Sequence, residues 1–129
     1  MINFFGKNKI IFYITNFILI LLYLFPGSLI GCFLYDDCKL QPQITPDFII
    51  STNHLYAFAF LSLIAFLTFK KTDKITFIIF YLLTISVVLE LFQHFVPERS
   101  FEYSDLFGNL IGVIIIIIFF NLLKKYENS

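Results

Sequence analysis

Charge is scarce in this chain. Charged residues make up 14% of its 129 positions, against about a quarter in a soluble domain, and that deficit excludes an ordinary water-borne fold. Nine basic and nine acidic residues cancel, so no basic surface is left for nucleic acid, and no nucleic-acid partner is expected. Glycine, with 5 residues, and proline, with 4, are also few. No internal repeat is visible, and no stretch resembles a long linker or a disordered tail. Catalytic signatures are missing too. There is no zinc-protease HExxH, no GxSxG elbow, no phosphate-binding glycine loop and no phosphatase-like Arg/His signature, so nothing in the sequence calls for a cofactor. An enzyme built on this chain would have to rely on a Glu/His acid–base pair.

What the chain has is apolar length. Hydrophobic residues make 59% of it and Phe alone numbers 19. Four apolar segments, about 9–25, 48–69, 75–96 and 104–123, approach the roughly 20 residues that a spanning helix needs. Ile is common in all of them, which in water would suggest strands. Open sheet edges cannot sit in hydrocarbon, so helices are the better reading. The expectation is an all-α integral membrane bundle of four transmembrane helices, a single domain over residues 1–129.

Basic residues orient it. Lys7 and Lys9 precede the first segment, Lys70, Lys71 and Lys74 join the second to the third, and Lys124 and Lys125 follow the fourth. Only Lys39 and Arg99 fall in the other two loops, a split of seven against two. The positive-inside rule then predicts both termini in the cytoplasm. Asp36, Asp37, Asp47, Glu98 and Glu102 all fall on the outer side in that arrangement.

One stretch, Glu90–Gly112, breaks the apolar pattern. Glu90, Gln93 and His94 stand at i, i+3 and i+4, one helix face. Pro97 ends that helix, and Asp105, Asn109 and Gly112 form one stripe of the next. At 1.5 Å per residue, His54, Glu90 and Asn109 each lie five or six positions inside the outer end of their helices, roughly 7–9 Å deep. Polar groups at that depth are expensive and mark functional sites by default. Their convergence predicts one pocket with Arg99 at its mouth.

The competing readings are structural. Glu90 is either a functional acid or a tie to Arg99 or His54. Arg99 either receives a phosphate or carboxylate or bridges to Asp105 or Glu90. Asp105, beside Ser104, suits helix capping better than catalysis. Asn109, between Gly108 and Gly112, suits a close interhelical contact. His54 and His94 with Glu90 or Asp105 offer donors of the right type for a metal, but the i,i+4 pair Glu90/His94 is a weak signal, and no metal is expected.

Cys32 and Cys38 are the only cysteines. On the outer side they can close a disulfide across a short loop. Two free thiols are the alternative. Leu29-Ile30-Gly31-Cys32 is also similar to a bacterial lipobox, although Pro26-Gly27 fits better as the end of a retained helix.

Glu90, Gln93, Pro97, Arg99, Asp105, Asn109 and Gly112 together resemble the pattern of the VanZ-like family of small bacterial membrane proteins, with its spacing kept. His54 matches the family's histidine at the start of the second helix, and Pro26-Gly27-Ser28 is like the stop seen in members. The family's Asp-Lys pair is replaced by Ile50 and Ser51, its tyrosine by Phe58 and its second glycine by Ile116. The resemblance covers about residues 20–116 and is specific in the second half. It implies a four-helix protein of the bacterial cytoplasmic membrane, in a context of resistance to the glycopeptide teicoplanin. Combined with the polar layer, it leads to a pocket that recognises a membrane lipid, such as a lipid-linked envelope precursor, or a glycopeptide. Arg99, Gln93, Asp105 and Asn109 are the expected ligand contacts. Glu90 and His54 would be acid and base if the pocket is catalytic. A purely structural or assembly role is the remaining reading.

Overall fold

A computed structural model describes residues 2–128. Six helices follow one another: α1 (Ile2–Lys7), α2 (Ile10–Leu24), α3 (Leu29–Tyr35), α4 (Thr52–Phe69), α5 (Ile75–Gln93) and α6 (Tyr103–Glu127). The fold is an all-helical membrane bundle. Three helices, α4, α5 and α6, are long and apolar enough to cross a bilayer, and α2 with α3 makes a fourth span only as a pair bent by 86°.

The bend has a local cause. Pro26 cannot continue α2, and Gly27 takes φ +84°, a left-handed conformation that costs glycine nothing. A side chain there would also strike the Cys38 carbonyl oxygen at 2.6 Å. Ser28 then caps α3 by accepting the Gly31 N–H at 2.9 Å, so the chain restarts at once in a new direction. Cys32 and Cys38 are joined by a disulfide, and the Ser28 N–H donates to the Cys38 carbonyl at 2.7 Å. The turn, α3 and this link form one compact cap over the end of α2.

The expected segment limits shift. The second helix begins at Thr52 rather than 48. Phe48 and Ile49 lie outside it with their side chains exposed, because Asp47 turns the chain by accepting the Thr52 N–H at 3.0 Å. The third stops at Gln93, where the His94 N–H turns back to the Leu91 and Phe92 carbonyls, ahead of Pro97. The fourth runs on to Glu127, past Lys124 and Lys125, basic residues that favour a helix C-terminus.

Contacts give the directions. The Ser51 N–H donates to the Ser104 carbonyl at 3.1 Å, and Lys70 Nζ lies 3.9 Å from Glu127 Oε2, so α4 and α6 run parallel. The Tyr81 hydroxyl donates to Asn16 Oδ1 at 2.6 Å, and Asn109 Nδ2 reaches the Ser86 carbonyl at 2.9 Å. Thus α2 and α5 run opposite to α4 and α6. Although consecutive helices usually neighbour one another, the most extensive contact is α4 against α6, not α4 against α5. The reason is glycine. A Cβ at Gly108 would meet the Ser51 carbonyl at 2.5 Å, and one at Gly112 the Leu55 carbonyl at 2.6 Å. The two backbones touch.

Helix α4 is the centre, with Phe58, Leu61 and Phe69 buried against Phe12, Leu82, Leu89 and Val113. The outside is apolar as well: Phe77, Phe80, Ile114 and Ile118 are exposed, a surface suited to lipid rather than water. Lys9, over the Phe69 ring, and Lys70, over that of Phe120, gather at one end of the bundle. The polar residues gather at the other.

Candidate functional site

Four helix ends meet at that second end. They are the last turns of α2 and α5 and the first turns of α4 and α6. A helix end is where a membrane protein has unpaired backbone groups to satisfy, so polar side chains placed there find partners.

Asn109 is the hub. It is fully buried and its Nδ2 donates to the Ser86 carbonyl on α5. That fixes the amide, and Oδ1 therefore faces the Tyr23 hydroxyl at 2.7 Å and His54 Nδ1 at 2.9 Å. One side chain ties α6 to α2, α4 and α5. Gln93, also buried, donates its Nε2 to the Tyr23 carbonyl at 3.0 Å, a second link between α5 and α2.

Glu90 points inward and has no exposed surface. Its Oε1 accepts the Glu102 N–H at 3.2 Å, which holds the chain after the Pro97 turn against α5. Its Oε2 has no hydrogen-bond partner among the described residues and lies 3.6 Å from His54 Nδ1. That spacing is longer than a direct hydrogen bond and becomes an ion pair when the ring is protonated. His54 Nε2 stands 3.7 Å from Asp105 Oδ2. One ligand atom each from His54, Glu90 and Asp105 lies within 4.8 Å of the other two. His94 is exposed and turned away against Phe95, so it takes no part.

Arg99 makes no ion pair with Glu90 or Asp105 among the described residues. Its Nε donates to the Phe25 carbonyl at 3.3 Å and its Nη2 to the Leu22 carbonyl at 3.1 Å. It closes the C-terminal end of α2, where a cation meets the negative end of the helix dipole. Burial draws the guanidinium below its ordinary value, and Tyr23, Asp105 and Glu90 oppose that. Asp105 sits in the first turn of α6 without capping it.

A cavity of about 800 Å³ opens beside this cluster. Its lining includes the apolar Leu22, Leu29, Ile30, Ile44, Ala57 and Phe60 and the polar His54, Gln93, Arg99, Glu102 and Asp105. A smaller hollow beside it is bounded by Lys39, Gln41, Glu98 and Arg99.

Two contributors were not singled out in the sequence. Tyr23 is buried at the crossing of α2, α4 and α6, but a tyrosine near a helix end reads as an interface anchor. The loop residues Gln43 and Asn53 are the other case. Gln43 bonds Asp47 and Asn53 bonds the Pro42 carbonyl, placing the long loop as one rim of the cavity. Only the polar content of that loop hinted at it.

The sequence model of the VanZ/LLP1 family matches residues 4–124. No curated protein and no solved structure matches the chain. The match takes in almost the whole of the chain, which belongs to the VanZ/LLP1 family.

Proposed function

We propose that this VanZ/LLP1 family member recognises an amphiphile of the bacterial envelope, a lipid-linked precursor with an anionic head group. One observation carries the reading: the cavity is lined by apolar side chains together with polar and charged ones, the two kinds of contact that an amphiphile needs. The Arg99 guanidinium lines both hollows, and its donors beyond those given to α2 suit a phosphate. Gln93, Asp105 and Asn109 hold the polar side chains in place. The protein sits in the bacterial cytoplasmic membrane with both termini inside, so the cavity faces the side where such precursors are used.

The test is photo-crosslinking of the purified full chain with a diazirine-bearing polyprenyl pyrophosphate. Labelling is expected at residues of the cavity wall and is competed by unlabelled lipid. Arg99→Gln and Ala57→Trp, which fills the wall, should each reduce it at least fivefold. Wild-type labelling in both variants, or no competition, would sink the proposal.

The contact between Glu90 and His54 favours a second reading, an enzyme in which this pair works as acid and base on a head group. Glu90→Gln separates the two. A catalyst loses its turnover with folding intact, a binding site weakens only in part, and a helix clamp loses stability.

A further inference from the structure

The arrangement of His54, Glu90 and Asp105 is incomplete as it stands. Asn109 has its amide fixed by the Ser86 carbonyl, so its Oδ1 can only accept. His54 Nδ1 must then carry the proton. In the neutral ring this leaves a lone pair on Nε2, and Nε2 faces a carboxylate oxygen of Asp105 at 3.7 Å. Two groups that only accept do not belong side by side unless something positive lies between them. Glu90 adds a third acceptor: its Oε2 is buried, has no hydrogen-bond partner among the described residues and lies 3.6 Å from Nδ1, within the 4.8 Å that encloses one ligand atom of each residue.

We propose that His54 Nε2, a Glu90 carboxylate oxygen and an Asp105 carboxylate oxygen ligate one divalent transition-metal ion of the Zn²⁺ or Mn²⁺ class. One nitrogen and two carboxylate oxygens suit these ions better than Mg²⁺ or Ca²⁺, which prefer oxygen alone. The Nδ1–H to Asn109 bond is what metal-bound histidines usually have: the second nitrogen donates to an oxygen that sets tautomer and ring angle. His54 and Asp105 both line the cavity. An ion there has an entry path and keeps a position open towards it, as catalytic rather than purely structural sites do. The inference concerns the ion alone and does not depend on the lipid reading.

The test uses the full chain in detergent, stripped with EDTA and titrated with ZnCl₂ in a calorimeter. One equivalent should bind. His54→Gln and Asp105→Asn should each weaken binding at least tenfold, while His94→Asn leaves it unchanged. Asp105→Asn keeps the shape of a side chain that is only partly buried, 18% exposed, so it stays informative if His54→Gln fails to fold. Zn²⁺ should also raise the Tm of the wild type and not that of Asp105→Asn. No stoichiometric binding by the wild type, or equal binding by wild type and Asp105→Asn, overturns the proposal. In that case a doubly protonated His54 is what separates the two acids.

Discussion

The hydroxyl of Tyr23 donates to Asn109 Oδ1 at 2.7 Å, joining residues 86 positions apart inside the bundle. This bond closes α2 onto α6 and, with the His54 contact, occupies both acceptor positions of Asn109 Oδ1. Tyr23→Phe removes it and leaves His54 as the one side chain on Oδ1. A loss of about 1 kcal/mol is expected, read as a lower midpoint in SDS-induced unfolding. An unchanged midpoint would mean the hydroxyl is dispensable.

Gly112 faces backbone, not flexible side chains. Its added Cβ would meet the Leu55 carbonyl at 2.6 Å and the Ala59 nitrogen at 2.9 Å. Gly112→Ala should therefore push α6 off α4 and cost roughly 1–3 kcal/mol, despite alanine's better helix propensity. The exposed Ile114→Ala should change stability little. Equal midpoints for the two variants would remove the case for close contact.

The lysines other than Lys39 fall at the end opposite the cavity, and the positive-inside rule predicts that end in the cytoplasm. A cysteine probe at Glu102 is expected to react with a membrane-impermeant maleimide on intact cells, and one at Thr72 only after lysis. The reverse pattern would turn the cavity to the cytoplasm.

The link between Cys32 and Cys38 should appear in protein purified without reductant as an intact mass two hydrogens below the reduced form. Its loss in Cys38→Ser is expected to cost roughly 2 kcal/mol or less for so short a loop, confined to the cap over α2. A truncated, diacylated species beginning at Cys32 would instead mean that the first helix is removed.

Asp47 gives a pH dependence of known sign. The Thr52 N–H, with Gln43 and the Thr52 hydroxyl, holds its carboxyl below the ordinary value. A depressed folded value means stability that is present above the unfolded pKa of about 4 and fades as pH falls through the folded one. Asp47 is exposed, so the effect is local. Amide exchange at Thr52 should accelerate below about pH 4 beyond the intrinsic trend, and Asp47→Asn should remove that acceleration. Identical profiles would sink the assignment.

Much of the candidate site was legible. His54, Glu90 and Asn109 could be set at one depth because a helix rises by a fixed amount per residue. Gly108 and Gly112 pointed to close packing because lipid-embedded helices associate through small residues. Partners were harder. Arg99 among acids suggested a salt bridge, yet it caps α2 through the carbonyls of Leu22 and Phe25. Backbone carbonyls freed at a helix end carry no signature in residue type, so spacing along the sequence could not find them.

By itself, the sequence determined the membrane class, the order of the apolar segments and the layer in which the polar residues lie. Those follow from local quantities: apolar length, helix-breaking Pro97 and Pro26, and the rise per residue. Only the tertiary structure decided that α4 packs chiefly on α6, that Asn109 faces Tyr23 and His54, and that one oxygen of Glu90 has no hydrogen-bond partner among the described residues. Such facts depend on how the helices rotate about their axes. Rotation is set by the sum of many weak contacts across the bundle, and no single residue records it.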